Sequence, residues 1–224
     1  MKLKQFINLE IKQLISEGKY DSLTRKMVKL IFDHIKSSKK TTKYEYEDYI
    51  ENKNISFDFV LKIMRKNIDN YIINAYTDNE LEDDAEIEII LQINPNNEEK
   101  LYKEIYMELN DTVRHEIEHL LQSGYNKIPN KPKKTTSKKY NSFVTKPYKE
   151  YLLKDEIPAY VVGFYRRAKL EKKAVDVIMF EFLNWYVEND IMTKIEMKKV
   201  LNTWIKHSKK NYPKAIYKLN IKQI

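Results

Sequence analysis

Two of the four histidines in this chain stand one helical turn apart, with a glutamate directly after the first, in the stretch LNDTVRHEIEHLLQSG from Leu109 to Gly124. On an α-helix a spacing of four stacks His115 and His119 on one side, about 6 Å apart in rise, so both imidazoles can point at one divalent ion. Glu116 is turned about 100° along the wheel and can reach a water on that ion without taking a ligand position. The residue types and their spacing suit metal-assisted hydrolysis. The chain has no cysteine. That removes thiolate zinc knuckles, thiol nucleophiles and disulfide frameworks together, so any metal must be held by His, Asp and Glu.

The helix that must carry these residues runs from about Glu98 to Ser123, with Gly124 as its C-cap. Tyr102, Tyr106, Leu109, Val113, Ile117 and Leu120 fall within about 40° of one another's mean direction on the wheel and form the core stripe. His115, His119, Glu108 and Thr112 cluster on a separate flank, about 200–260° from Val113. A histidine satisfied inside a core is therefore a poor account of either residue. Metal ligation or two solvated surface imidazoles remain. Asp111, Arg114, Glu118 and Gln122 fall on a third, outer face, where Arg114 and Glu118 are spaced for an i,i+4 ion pair.

The neighbouring segments supply the frame. Apolar residues at helical spacing over 3–17 and 20–36, with Gly18 between, predict an N-terminal helical hairpin within residues 1–43. The polar stretch SSKKTTKYEYED separates it from the main domain, residues 44–224. ISFDFVLKI, YIINAYT and AEIEIILQI alternate and are bounded by Asn and Asp, which predicts three strands joined as a meander. The acidic run NELEDDAE between the last two reads as a solvated connection. Residues 125–150 hold three prolines and many lysines without a period, and predict a long mobile loop. Helices resume over 156–171, 172–189 and 193–208, with a short tail from Pro213. The fold class is α+β: a small, mainly antiparallel sheet preceding the motif helix, an N-terminal helical hairpin and a helical C-terminal half.

The 224 residues carry 41 Lys and Arg against 33 Asp and Glu, a formal net charge of +8, and most of the cations are lysine. Lysine lacks the planar fork with which arginine reads bases. The excess suits solubility and attraction to acidic surfaces, with nucleic-acid contact as the less favoured use. No run approaches the roughly 20 apolar residues of a membrane span, and no signal peptide is legible at Met1–Tyr20. A soluble cytoplasmic protein without a membrane partner is the expectation.

TVRHEIEHLL resembles the active-site helix of the zincin metallopeptidases, whose extended signature asks for a Val or Thr three before the first histidine and for uncharged inner positions. Thr112, Val113, Ile117 and Leu120 fit it; Glu118 departs, as the family prefers an uncharged residue there. The resemblance covers roughly Thr112 to Gly163 and implies a zincin-like fold. It also implies one Zn2+ per chain on three protein ligands, with water in the fourth position. No histidine follows at the short interval of the metzincin pattern, and His207 is distant in a lysine-rich helix, which favours a carboxylate. The gluzincin subgroup takes its third ligand from a glutamate on a following helix, with a small residue three positions on. LKDEIPAYVVGFYRRAK offers Glu156, with Ala159 and Gly163 three and seven residues later. Asp155 and Glu150 lie nearby, but Asp155 is turned about 100° away and suits an N-cap. Many gluzincins have an aspartate four residues after the glutamate; here stands Tyr160, whose phenol could accept an imidazole N–H or face a substrate carbonyl. The resemblance further implies that the strand AEIEIILQI forms a sheet edge that pairs with an extended peptide.

Two functions are compatible with these residues. In the leading one, a zinc-dependent peptidase holds its ion with His115, His119 and Glu156, uses Glu116 as general base, and acts on a peptide or protein substrate. In the alternative, a basic nucleic-acid-associated protein binds through the lysines of 125–150, interleaved with Tyr140, Phe143 and Tyr148, and its HExxH is structural or vestigial.

Overall fold

The computed structural model describes residues 20–52, 55–78, 85–122 and 147–220. The first arm of the expected hairpin, the acidic run over 79–84, the Gly124 cap and residues 125–146 of the basic segment lie outside the described residues. Helix α1 (Asp21–Ser37) buries Leu23, Met27, Val28, Ile31 and Ile35, and this stripe sits on one face of a sheet. The sheet is built from β1 (Lys43–Asn52), β2 (Ile55–Arg65), β3 (Tyr71–Asp78) and β4 (Glu86–Ile93) in the order β1-β2-β4-β3. Helix α2 (Glu98–Gln122) crosses the same face. A 3₁₀ helix (Pro147–Leu152) then leads into α3 (Glu156–Glu171), α4 (Val175–Glu188) and α5 (Lys194–Asn211). The chain is α+β, and among the described residues no helix is long and apolar enough to cross a membrane.

Four strands replace the expected three. KYEYEDYIEN alternates half-buried Tyr44, Tyr46 and Ile50 with charged residues, and a strand this polar is stable only as an edge leaning on β2. The order is no meander either: β4 runs parallel to β2 and antiparallel to β3, so it inserts between two strands that are consecutive in sequence. β2 and β4 are the strands in which every second residue is fully apolar and buried, and the centre of a sheet, covered by helices, is where such strands gain most. The basic segment is also shorter than expected, because Pro147–Glu150 belong to the 3₁₀ helix.

Two hydrophobic cores result. One joins α1, the inner sheet face and the stripe Leu101, Ile105, Leu109, Val113, Ile117 and Leu120 of α2. Tyr102 and Tyr106, expected on that stripe, lie at its margin and pack edge-on against Phe32. The other core gathers the 3₁₀ helix, α3, α4 and α5 around the fully buried Trp204, whose indole N–H donates to the Tyr151 carbonyl at 2.8 Å. The face of α2 expected to point outward is covered by α3: Asp111 meets Arg167 at 3.2 Å, and the Arg166 guanidinium donates to Asn110 Oδ1 at 3.0 and 2.9 Å while standing 3.4 Å from Asp21. A helix between a sheet and a helical layer has little outside left. The Arg114–Glu118 pair does form, at 3.0 Å.

Arg65, at the end of β2, fastens the first core. Its guanidinium donates to both carboxylate oxygens of buried Glu98 at 2.8 and 2.9 Å and to the backbone carbonyls of Ile35, Ser38 and Thr41. Replacement by methionine leaves the Glu98 charge buried without its partner, which should cost about 3–5 kcal/mol. Urea denaturation of Arg65→Met measures it; a loss under about 1 kcal/mol, the level of an exposed pair, would contradict this role.

Candidate metal centre

The third and fourth turns of α2 and the first turn of α3 meet at the seam between the two cores. His115 Nε2 and His119 Nε2 are 2.9 Å apart, and Glu156 Oε2 lies 3.5 and 3.4 Å from them. Ligands at about 2.0–2.2 Å around a tetrahedral ion stand roughly 3.3–3.6 Å from one another. Two of the three separations match such an edge, and the third falls a little inside it, within reach of a small imidazole rotation. Two imidazole nitrogens and one carboxylate oxygen form a donor set that suits zinc, with three corners filled and one left for water. Among the described residues this is the group of three His, Asp or Glu side chains close enough to hold a metal ion.

Each side chain reaches the seam for a local reason. The histidines lie off the core stripe yet remain half-buried, because α3 closes over their flank. Glu156 is the first residue of α3, so its side chain projects at the approach to α2 rather than from mid-helix. The helices come close where the small residues sit: Ala159 is fully buried, and a Cβ placed on Gly163 would stand 2.8 Å from the Asp111 carbonyl oxygen. That neighbour is backbone and cannot rotate away. Gly163→Ala should push α3 off α2 at a cost of about 1–3 kcal/mol and draw Glu156 away from the histidines. Denaturation and zinc titration of the variant check both effects; unchanged values in each would show that the close approach does not set the site.

Electrostatics fit the donor set. Burial alone would raise the Glu156 carboxyl, but hydrogen bonds and charge from His115 and His119 outweigh it and hold the group down at about 2. For His119, burial opposes protonation while Glu156, Glu116 and Asp155 favour it more strongly, so its pKa rises above the ordinary value. Glu150, on the 3₁₀ helix, is raised by burial and by Glu156, with His115 acting in the opposite direction. It faces the site's field but lies outside the group of three. Asp155 takes the N-cap position of α3 in helical backbone, and its side chain makes no capping hydrogen bond, unlike the role expected of it.

Glu116 is buried beside the histidines, and its Oε2 accepts a hydrogen bond from the Thr77 hydroxyl at 2.7 Å. Thr77 lies on β3, the sheet edge next to the site, and no feature of the local sequence marks it; only the pairing of β3 with β4 brings it there. The edge expected at AEIEIILQI is accordingly corrected, since that strand is the interior β4. Tyr160 stands edge-on to His115, with ring centroids 4.5 Å apart, and stacks on Trp204 at 5.1 Å. Burial first, then the nearby Glu156 and Glu150 charges, push its phenol well above the ordinary value, so it stays protonated. No hydrogen bond joins its hydroxyl to an imidazole among the described residues. Tyr165 stacks on Tyr212. No family model, curated protein or solved structure matches this chain.

Proposed function

We propose that this chain is a zinc-dependent peptidase of the zincin type, gluzincin-like in its third ligand, with one ion held by His115, His119 and Glu156. The observation that carries the reading is the convergence of those three donor atoms beside a buried glutamate that takes no part in the group. Zinc bound there would supply Lewis acidity toward a peptide carbonyl and toward a water. Glu116 accepts a proton from the attacking water and returns it to the leaving amine. Because Thr77 occupies Oε2, the proton is taken on Oε1. Tyr160, kept as the neutral phenol, serves as a donor to the oxyanion that develops on the carbonyl. An extended substrate segment adds to the free edge of β3, alongside the strand that positions the base.

Metal analysis of the purified chain, run in parallel with hydrolysis of unfolded protein substrates, tests the proposal. Wild type should carry about one zinc per chain, and His115→Ala should lose both metal and hydrolysis, since two ligands compete poorly for the ion. Equal metal content in the two proteins would overturn it.

A further inference from the structure

The helices cover one face of the sheet; the other face has no element packed on it among the described residues. The register fixes what it displays: Lys43, Glu45, Glu47, Tyr49 and Glu51 of β1, then Asp58, Val60, Lys62 and Met64 of β2. Across from these stand Glu86, Glu88 and Ile90 of β4, and Ile72, Asn74 and Tyr76 of β3. Six carboxylates face two ammonium groups there, in a chain whose overall charge is +8. The rest of the molecule is correspondingly more basic, so the sign of this face is a local property rather than a sample of the composition. Lys62 lies between Glu88, at 2.6 Å, and Glu45, at 3.6 Å, and shows how the face holds an ammonium group. Glu47, Glu51 and Asp58 are exposed, and no described cation lies within ion-pair distance of them. Tyr49 and Tyr76, more than half exposed, stand among the carboxylates as ring faces for a cation.

We propose that this open sheet face, continuous with the β3 edge beside the metal centre, docks a lysine- or arginine-rich extended segment of the polypeptide substrate. The proposal rests on the peptidase reading for the word substrate, and on the register and charge of the face for the chemistry. In a segment added to β3, successive side chains alternate between the two faces of the sheet. Those on the helix side run past Tyr71, Ile73, Ala75 and Thr77 toward the metal centre, and those on the open side lie over Asn74 and Tyr76, toward Glu86 and Glu88. Alternating basic residues would therefore place every cation over the acidic face while the intervening residues enter the site. Segments with alternating carboxylates are repelled from the same register.

The test is fluorescence anisotropy with a labelled peptide alternating lysine and threonine, and with its glutamate–threonine counterpart. It uses the zinc-loaded full chain carrying Glu116→Gln, so that hydrolysis does not consume the probe. The lysine peptide should bind in a salt-sensitive way and the glutamate peptide should not. Adding Glu47→Gln, Glu51→Gln and Asp58→Asn should weaken lysine-peptide binding about tenfold, whereas Asp33→Asn, Glu181→Gln and Glu188→Gln, charge-matched changes elsewhere, should alter it less than about twofold. All six positions are exposed, and circular dichroism verifies folding. Equal binding of the two peptides, or a triple face variant that binds like its parent, overturns the proposal. Sedimentation of the peptide-free chain that shows low-salt self-association abolished by the face variant would assign the surface to a second copy instead, and also overturns it. His115→Ala separates the two readings: lysine-peptide binding that survives loss of the metal supports the docking face even where hydrolysis is never observed.

Discussion

Glu116→Gln should keep its zinc and lose hydrolysis by about 10²–10⁴-fold. The amide has the shape of the carboxylate and can still accept the Thr77 hydroxyl hydrogen bond on its carbonyl oxygen, so the geometry at the edge of β3 survives. It cannot take a proton from water. Because Glu116 lies outside the group of three donor atoms, metal affinity should change little. The two measurements, zinc content and single-turnover cleavage, must therefore separate. A variant that cleaves as fast as wild type would remove Glu116 from the role of base, and one that also loses its zinc would place it among the ligands.

The second large effect is at the third ligand. Glu156→Gln exchanges an anionic oxygen for a weak neutral donor and should weaken zinc binding by about 10²-fold or more, while Asp155→Asn should leave it nearly unchanged. Asp155 is one residue away in sequence but exposed, with no bond from its side chain to the start of α3. Competition titrations with a chelator compare them directly; equal losses in both variants would show a general charge effect at the helix start rather than ligation. The same titrations carry a pH signature. Glu156 is already held near a pKa of about 2, so it stays anionic through the working range and contributes no proton release. His119, raised above its ordinary 6.5 in the metal-free chain, binds a proton more tightly and must release it for zinc to enter. Affinity should thus fall as the pH drops through and below that region, and the fall should persist in Asp155→Asn.

Local spacing made much of the site legible. The i,i+4 histidines, the glutamate turned off their line and the small residues Ala159 and Gly163 are all properties of helical periodicity, and a helix is a local structure. Glu156 could be singled out from Asp155 and Glu150 because Ala159 and Gly163 mark which side of α3 approaches its neighbour. What failed was long-range. β1 is too polar to announce itself, since its stability comes from pairing with β2, and the insertion of β4 between β2 and β3 depends on which strands best tolerate burial on the central positions. Thr77 and Arg65 have the same origin: each acts on residues more than thirty positions away through side-chain bonds that no periodicity encodes. The outer face of α2 was misread because an amphipathic pattern reports charge, and Asp111, Arg114 and their neighbours are charged yet buried by pairing across to α3 and within α2.

The seam between the two cores gives the metal a mechanical meaning. His115 and His119 belong to a helix rooted in the sheet, and Glu156 opens the helical layer built around Trp204. An ion shared by these three side chains is a rivet between two bodies that otherwise adhere through α2 and α3, and its binding free energy adds to their cohesion rather than to the stability of either. Chelation would then loosen one layer from the other while leaving each layer internally intact.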